Sequence, residues 1–125
     1  MTIRTPVRWS AVGLYLALIT ALSLLPSRDF SGIEAPPGAD KLVHAGMYAG
    51  FVILSAWARW ERGPARMRWL ALMAVAAFGY GMLMELAQGA MAMGRECSAT
   101  DMLANAVGAA LGALAWWAWT RVVRR

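Results

Sequence analysis

Nine side chains between positions 40 and 105 are of types that do chemistry, and they stand in apolar surroundings: Asp40, Lys41, His44 and Tyr48; Glu85 and Gln88; Arg95; Asp101 and Asn105. His44 is the sole histidine, and an imidazole changes charge near neutral pH without special tuning, which suits a general acid or base with Glu85 or Asp101 as its partner. Lys41 and Arg95 are suited to a phosphate or carboxylate, and Glu85, Gln88, Asp101 and Asn105 to orienting those cations and to binding sugar or amide atoms. Asp40 and His44 at i and i+4, with Glu85 and Asp101, offer oxygen and imidazole donors. One histidine without a recognised ligand spacing does not define a metal site, so no metal or cofactor is expected. A nucleophilic triad has no support either. Ser98 is placed as a helix cap, and no Gly-x-Ser-x-Gly occurs.

Each polar residue also has a purely structural reading. Asp40 and Asp101 stand where helices begin and carboxylates favour the dipole, and Ser98 with Asp101 resembles a capping box. Lys41 can extend toward headgroups along its alkyl stem, and Tyr48 can serve packing alone. His44, Glu85 and Asn105 resist that reading, because an unpaired polar group at membrane depth costs several kcal/mol.

The elements that carry these residues are written in the composition. The chain has 125 residues, 60% hydrophobic and only 15% charged, and its mean hydropathy is +0.50. Disorder is excluded, and a soluble fold does not fit. Charge-poor runs over 9–25, 42–58, 69–84 and 102–120 each approach the roughly 20 residues of a bilayer-crossing helix, and the helices are expected at about 9–25, 42–58, 69–88 and 101–120. They lack strict alternation and are rich in Ala, Leu, Met and Gly, which indicates packed helices rather than barrel strands. The fold class is therefore all-α, a single four-helix membrane domain over 1–125 with short loops. Arg4 and Arg8 before the first run, with Ala21 and Ser23, also resemble a weak signal-peptide pattern; its 17-residue length favours retention as a helix. Cys97, the only cysteine, excludes an internal disulfide.

Charge sets the expected orientation. Of twelve basic residues, Arg4, Arg8, Arg59, Arg62, Arg66, Arg68, Arg121, Arg124 and Arg125 flank one side of a four-helix zigzag, whereas Arg28, Lys41 and Arg95 flank the other. The positive-inside rule then places both termini in the cytoplasm. All seven tryptophans lie at the ends so assigned, a one-sided aromatic belt. The sequence pI near 10.4 thus reflects a membrane surface, and nucleic acid is not expected as a partner. The loop over 26–40 is punctuated by Pro and Gly, and the one over 59–68 is a tight arginine-rich turn. From Arg68 to Glu85 a helix rises roughly 25 Å, so Glu85 reaches the outer interface, at the depth of His44 and Asn105. Three helices then bring their polar groups to one depth, facing away from the cytoplasm. Gly46 with Gly50, and Gly108 with Gly112, form Gly-x-x-x-Gly pairs that favour close helix approach, inside the domain or against a second copy.

The ordered set Asp40-Lys41-x-x-His44-x-x-x-Tyr48, Glu85-x-x-Gln88, Arg95, and Asp101-x-x-x-Asn105-x-x-Gly108-x-x-x-Gly112 resembles the VanZ-like family of small bacterial membrane proteins. The chain departs from that pattern at 91–97, where the family approach to the arginine is more aromatic or contains proline. The resemblance implies a four-helix protein of the bacterial inner membrane, in a family named for an accessory factor in glycopeptide-antibiotic resistance. It does not imply a reaction.

Three classes of function follow as expectations. The first is an outward-facing pocket, formed by the nine residues above, for an anionic lipid headgroup or a lipid-linked wall precursor. The second is a membrane-embedded acid/base hydrolase or transferase on such a lipid, with His44, Glu85 and Asp101 as catalytic groups. The third is a structural or assembly subunit docking to a membrane-protein partner or a second copy through its glycine faces. A transporter is disfavoured by four helices without an ionisable residue at mid-bilayer.

Overall fold

A computed structural model describes residues 4–25, 32, 34–91 and 96–124. Among them four α-helices alternate in direction: α1 (Thr5–Leu24), α2 (Ala39–Ala58), α3 (Met67–Met91) and α4 (Ala99–Val123), with a single 3-10 turn at Trp60–Arg62 between α2 and α3. The helices run beyond most of the charge-poor stretches because apolar composition marks the hydrocarbon depth, whereas a helix ends where its caps are. Pro6 sits in the first turn of α1, where its missing N–H costs nothing, and Ser98 caps α4 by accepting a hydrogen bond from the Asp101 amide at 3.3 Å. Gly38, at φ +84°, takes the left-handed conformation that starts α2.

Three helices, α1, α3 and α4, are long and apolar enough to cross a bilayer. The expectation of four such spans is met in full by these three only. Asp40, Lys41 and His44 make the amino-terminal end of α2 polar, and that helix packs against all three others. Leu14, Val75, Leu103 and Leu111 on the other helices are exposed outward, as a lipid-facing surface requires.

The closest packing is between α2 and α4, which run parallel. Gly108 lies against the Ala45 backbone and Gly112 against that of Ala49, where an added Cβ would stand 2.6 Å from the Ala49 carbonyl oxygen. Lipid tails are as apolar as leucine, so membrane helices associate by dispersion contacts that small residues permit. Gly50 serves a different neighbour: its bare face takes the Tyr15 ring of α1, whose hydroxyl donates to the Met47 carbonyl at 2.9 Å. Gly46, by contrast, has nothing within 4 Å of where its Cβ would be, and the residue is exposed. The core between the helices holds Ile19, Tyr48, Val52, Leu70, Ala77 and Ala109.

Gly108→Val should therefore separate α2 from α4 and destabilise the fold by about 1–3 kcal/mol or more, whereas Gly46→Ala should be neutral or stabilise by up to about 1 kcal/mol. Thermal unfolding of the two variants in detergent checks both.

Candidate functional site

The parallel register of α2 and α4 assembles the polar residues of both. Lys41 faces Asp101, and His44 faces Asn105, with separations in sequence of 60 and 61. The third contributor, α3, brings Glu85 to the same level. Gly81, one turn earlier on α3, leaves the space that the Asn105 amide fills: a Cβ there would meet Asn105 Nδ2 at 2.7 Å. Sequence reasoning passed over Gly81, although its i−4 spacing from Glu85 is a readable signal.

His44 is the centre of the cluster. Its Nδ1 lies 3.0 Å from Asn105 Oδ1 and 3.7 Å from Glu85 Oε1, and its Nε2 lies 3.6 Å from Asp101 Oδ2. Asn105 Oδ1 can only accept, so Nδ1 carries the hydrogen and Nε2 is left with its lone pair. His44, Glu85 and Asn105 are all buried. The opposite carboxylate oxygen, Glu85 Oε2, accepts the backbone N–H of Ser98 at 3.1 Å. In a capping box that N–H is taken by the acid of the same helix, here Asp101. Glu85 from α3 fills the role instead, which leaves the Asp101 carboxylate for Lys41 and His44.

Lys41 donates to Asp101, and to Asp40 at 2.9 Å. Ahead of the apolar run that begins at Leu42, these hydrogen bonds, that to Asp101 first, raise the Lys41 ammonium well above its ordinary range. Lys41 in turn holds Asp40 below the usual carboxylate range. Asp40 is exposed, so its contact is a surface ion pair of small worth.

Two of the remaining residues lie elsewhere. Gln88 donates to the Ser23 carbonyl at 2.7 Å and ties α3 to the end of α1. Tyr48 is 2% exposed and belongs to the apolar core rather than to the polar cluster. Arg95 lies outside the described residues. The described cluster thus holds Asp40, Glu85 and Asp101 against Lys41 and His44, with Lys41 already shared by two carboxylates.

Two buried polar atoms of the cluster, Glu85 Oε1 and Asn105 Nδ2, have no hydrogen-bond partner. One accepts and the other donates. Single donor and acceptor of this kind are costly to bury alone, and a group with both functions, a hydroxyl or a water, satisfies them together. His44, Glu85 and Asp101 also present ligand atoms within 4.8 Å of one another, an imidazole and two carboxylates of the kind that hold a divalent cation.

The VanZ/LLP1 family model matches residues 9–121. The chain belongs to this family. The match spans all four helices and every residue of the cluster, so the protein is a multi-pass protein of the bacterial inner membrane, as this family is, and it is associated with the envelope. Searches of the curated proteins and of the solved structures return no match.

The buried His44–Asn105 bond and the exposed Asp40–Lys41 pair should differ sharply in worth. Asn105→Leu leaves the Nδ1 hydrogen buried without an acceptor and should cost about 1–3 kcal/mol of stability; Asp40→Asn should leave the unfolding midpoint within experimental scatter. Thermal melts in detergent read both.

Proposed function

We propose that this VanZ-family protein acts on a lipid-linked component of the cell envelope at the outer face of the inner membrane, with His44 as the proton-transferring group. The observation that carries the reading is the imidazole held between two carboxylates and an amide where three helices meet. With Nδ1 fixed on Asn105, His44 Nε2 takes a proton from a substrate hydroxyl or a water. Asp101 and Glu85 then stabilise the imidazolium. The unpartnered Glu85 Oε1 and Asn105 Nδ2 orient a hydroxyl-bearing group such as a sugar. Lys41 holds the Asp101 carboxylate in place.

In this proposal the chain crosses the bilayer four times with both termini inside. Support comes from the arginine-rich loop and the tryptophans, which gather at the end of the bundle opposite His44: Trp60, Trp116 and Trp119 pack with ring centroids 4.9–5.9 Å apart, and Arg121 stacks on Trp117 at 4.4 Å. An effect on glycopeptide susceptibility belongs to the same proposal, through the lipid-linked precursors that such drugs engage.

A second reading rests on the same three residues as a divalent-cation site. Ligands about 2.1 Å from an ion stand roughly 3.4 Å apart, so the 4.8 Å limit requires the cluster to contract, and Lys41 would have to release Asp101. Metal retained one-to-one on purification and lost in Glu85→Gln would favour it over proton transfer by His44.

His44→Gln, assayed in nanodiscs with an extracted pool of polyprenyl-linked precursors, should lower turnover by about 100-fold or more; turnover equal to wild type overturns the role of His44. Orientation has its own test. The exposed Cys97 should react with a membrane-impermeant maleimide in cells whose outer membrane alone is opened, and labelling only after the inner membrane is breached would invert the topology.

A further inference from the structure

At the end of the bundle opposite His44 the structure holds a cavity of about 750 Å³, lined by Arg59, Arg62, Arg66, Arg68, Trp69 and Leu72. That volume lies within the roughly 300–1,000 Å³ of ligand sites. Four arginines and no acidic residue line it. Glu61, the acid of the same turn, is held away by Thr5 and Arg8 of α1, the latter at 3.7 Å. Among the described residues none of the four arginines is ion-paired.

Topology accounts for arginines near this loop, but it does not require them to converge on one cavity. Arg59 lies over the Trp69 ring at 4.9 Å, and its Nε is buried without an acceptor. Arg66 and Arg68 flank the start of α3, whose first turn carries no acid. The helix dipole is positive there, so cations are disfavoured and an anion is welcome. Every one of these contacts is relieved by the same kind of occupant. Four arginines around one cavity favour an occupant with two negative charges or more.

The apolar wall selects the source of those charges. Leu72 is 59% exposed and Val75, one turn deeper on α3, is 67% exposed. The cavity therefore opens onto a lipid-facing stripe. We infer that this cavity is a binding site for a phosphorylated lipid headgroup bearing two negative charges, its phosphates on the arginines and its chains along Leu72 and Val75. Arginine suits the task because its fork contacts two phosphate oxygens at once and its face stacks on Trp69. The inference is independent of the chemistry assigned to His44.

Native mass spectrometry of the purified full chain, titrated separately with cardiolipin, phosphatidylethanolamine and inorganic pyrophosphate, tests it. Cardiolipin should bind at least about tenfold more tightly than the zwitterionic lipid. Arg66→Gln with Arg68→Gln should lose that preference, and Arg66→Lys with Arg68→Lys, which keeps the charge and hence the topology, should weaken it about threefold. His44→Gln should leave it unchanged. Wild-type cardiolipin binding in the Gln pair, or equal binding of phosphatidylethanolamine, overturns the site. Displacement of cardiolipin by an equal concentration of pyrophosphate overturns the lipid and assigns a soluble anion. Should the Gln pair not fold, wild-type affinity in the Lys pair overturns the arginine-specific contact.

Discussion

The contact between the α2 and α4 backbones, Ala45 against Gly108 and Ala49 against Gly112, is the constraint on which the rest of this structure depends. It fixes two parallel helices in one register, and that register alone decides that Lys41 meets Asp101 and that His44 meets Asn105. Hydrophobic burial cannot do this in a membrane, since leucine gains little by leaving lipid for protein. Small residues set the distance, and hydrogen bonds then select the register. The two are mutually dependent: backbones held farther apart would strand the His44 ring without its acceptor, and a register shifted by one turn would put Asn105 beside the wrong turn of α2.

The way α4 begins shows how few groups the cluster uses to satisfy its members. Ser98 donates its N–H to Glu85 and accepts from the Asp101 amide through its hydroxyl. The cap of one helix is thus completed by the acid of another. Had Asp101 taken the Ser98 N–H in the usual way, Lys41 and His44 would have lost their common carboxylate, and Glu85 would have stood at membrane depth with neither oxygen bound. An unpaired carboxylate there is costly by insertion measures. The exchange of partners joins α3 to α4 and opens Asp101 to the imidazole in one arrangement.

Much of this was legible in the sequence. Polar residues in apolar helices announce themselves, because the bilayer penalises them, and helical rise from the flanking charges places His44, Glu85 and Asn105 at one depth. Depth is as far as such reasoning reaches. It does not give the rotation of each helix about its axis, which is why Gln88, one turn from Glu85, points to Ser23 of α1 and Tyr48, one turn from His44, points into the core. The same blindness to rotation makes two equal Gly-x-x-x-Gly pairs unequal: Gly108 and Gly112 line a helix contact, whereas Gly46 faces open space. Thr20 and Tyr80, which hydrogen-bond between α1 and α3, were not singled out at all. Nothing in their spacing sets them apart from single polar residues that bond within their own helix.

The two ends of the bundle follow one electrostatic rule to opposite results. At the His44 end, every described charge that lies below the surface has a partner within the protein: Lys41 with Asp101, His44 between Asp101 and Glu85. What remains to be satisfied there is one donor and one acceptor, Asn105 Nδ2 and the carboxylate oxygen Glu85 Oε1. At the tryptophan end, among the described residues, only Glu61 is acidic, it is taken by α1, and the arginines between α2 and α3 are left without an acid. Their counter-charge comes from outside the described protein. The bundle thereby divides its surface, one end with its ions paired internally and the other cationic. The division is set less by the fold than by where Glu85, Asp101 and Glu61 are placed along three helices.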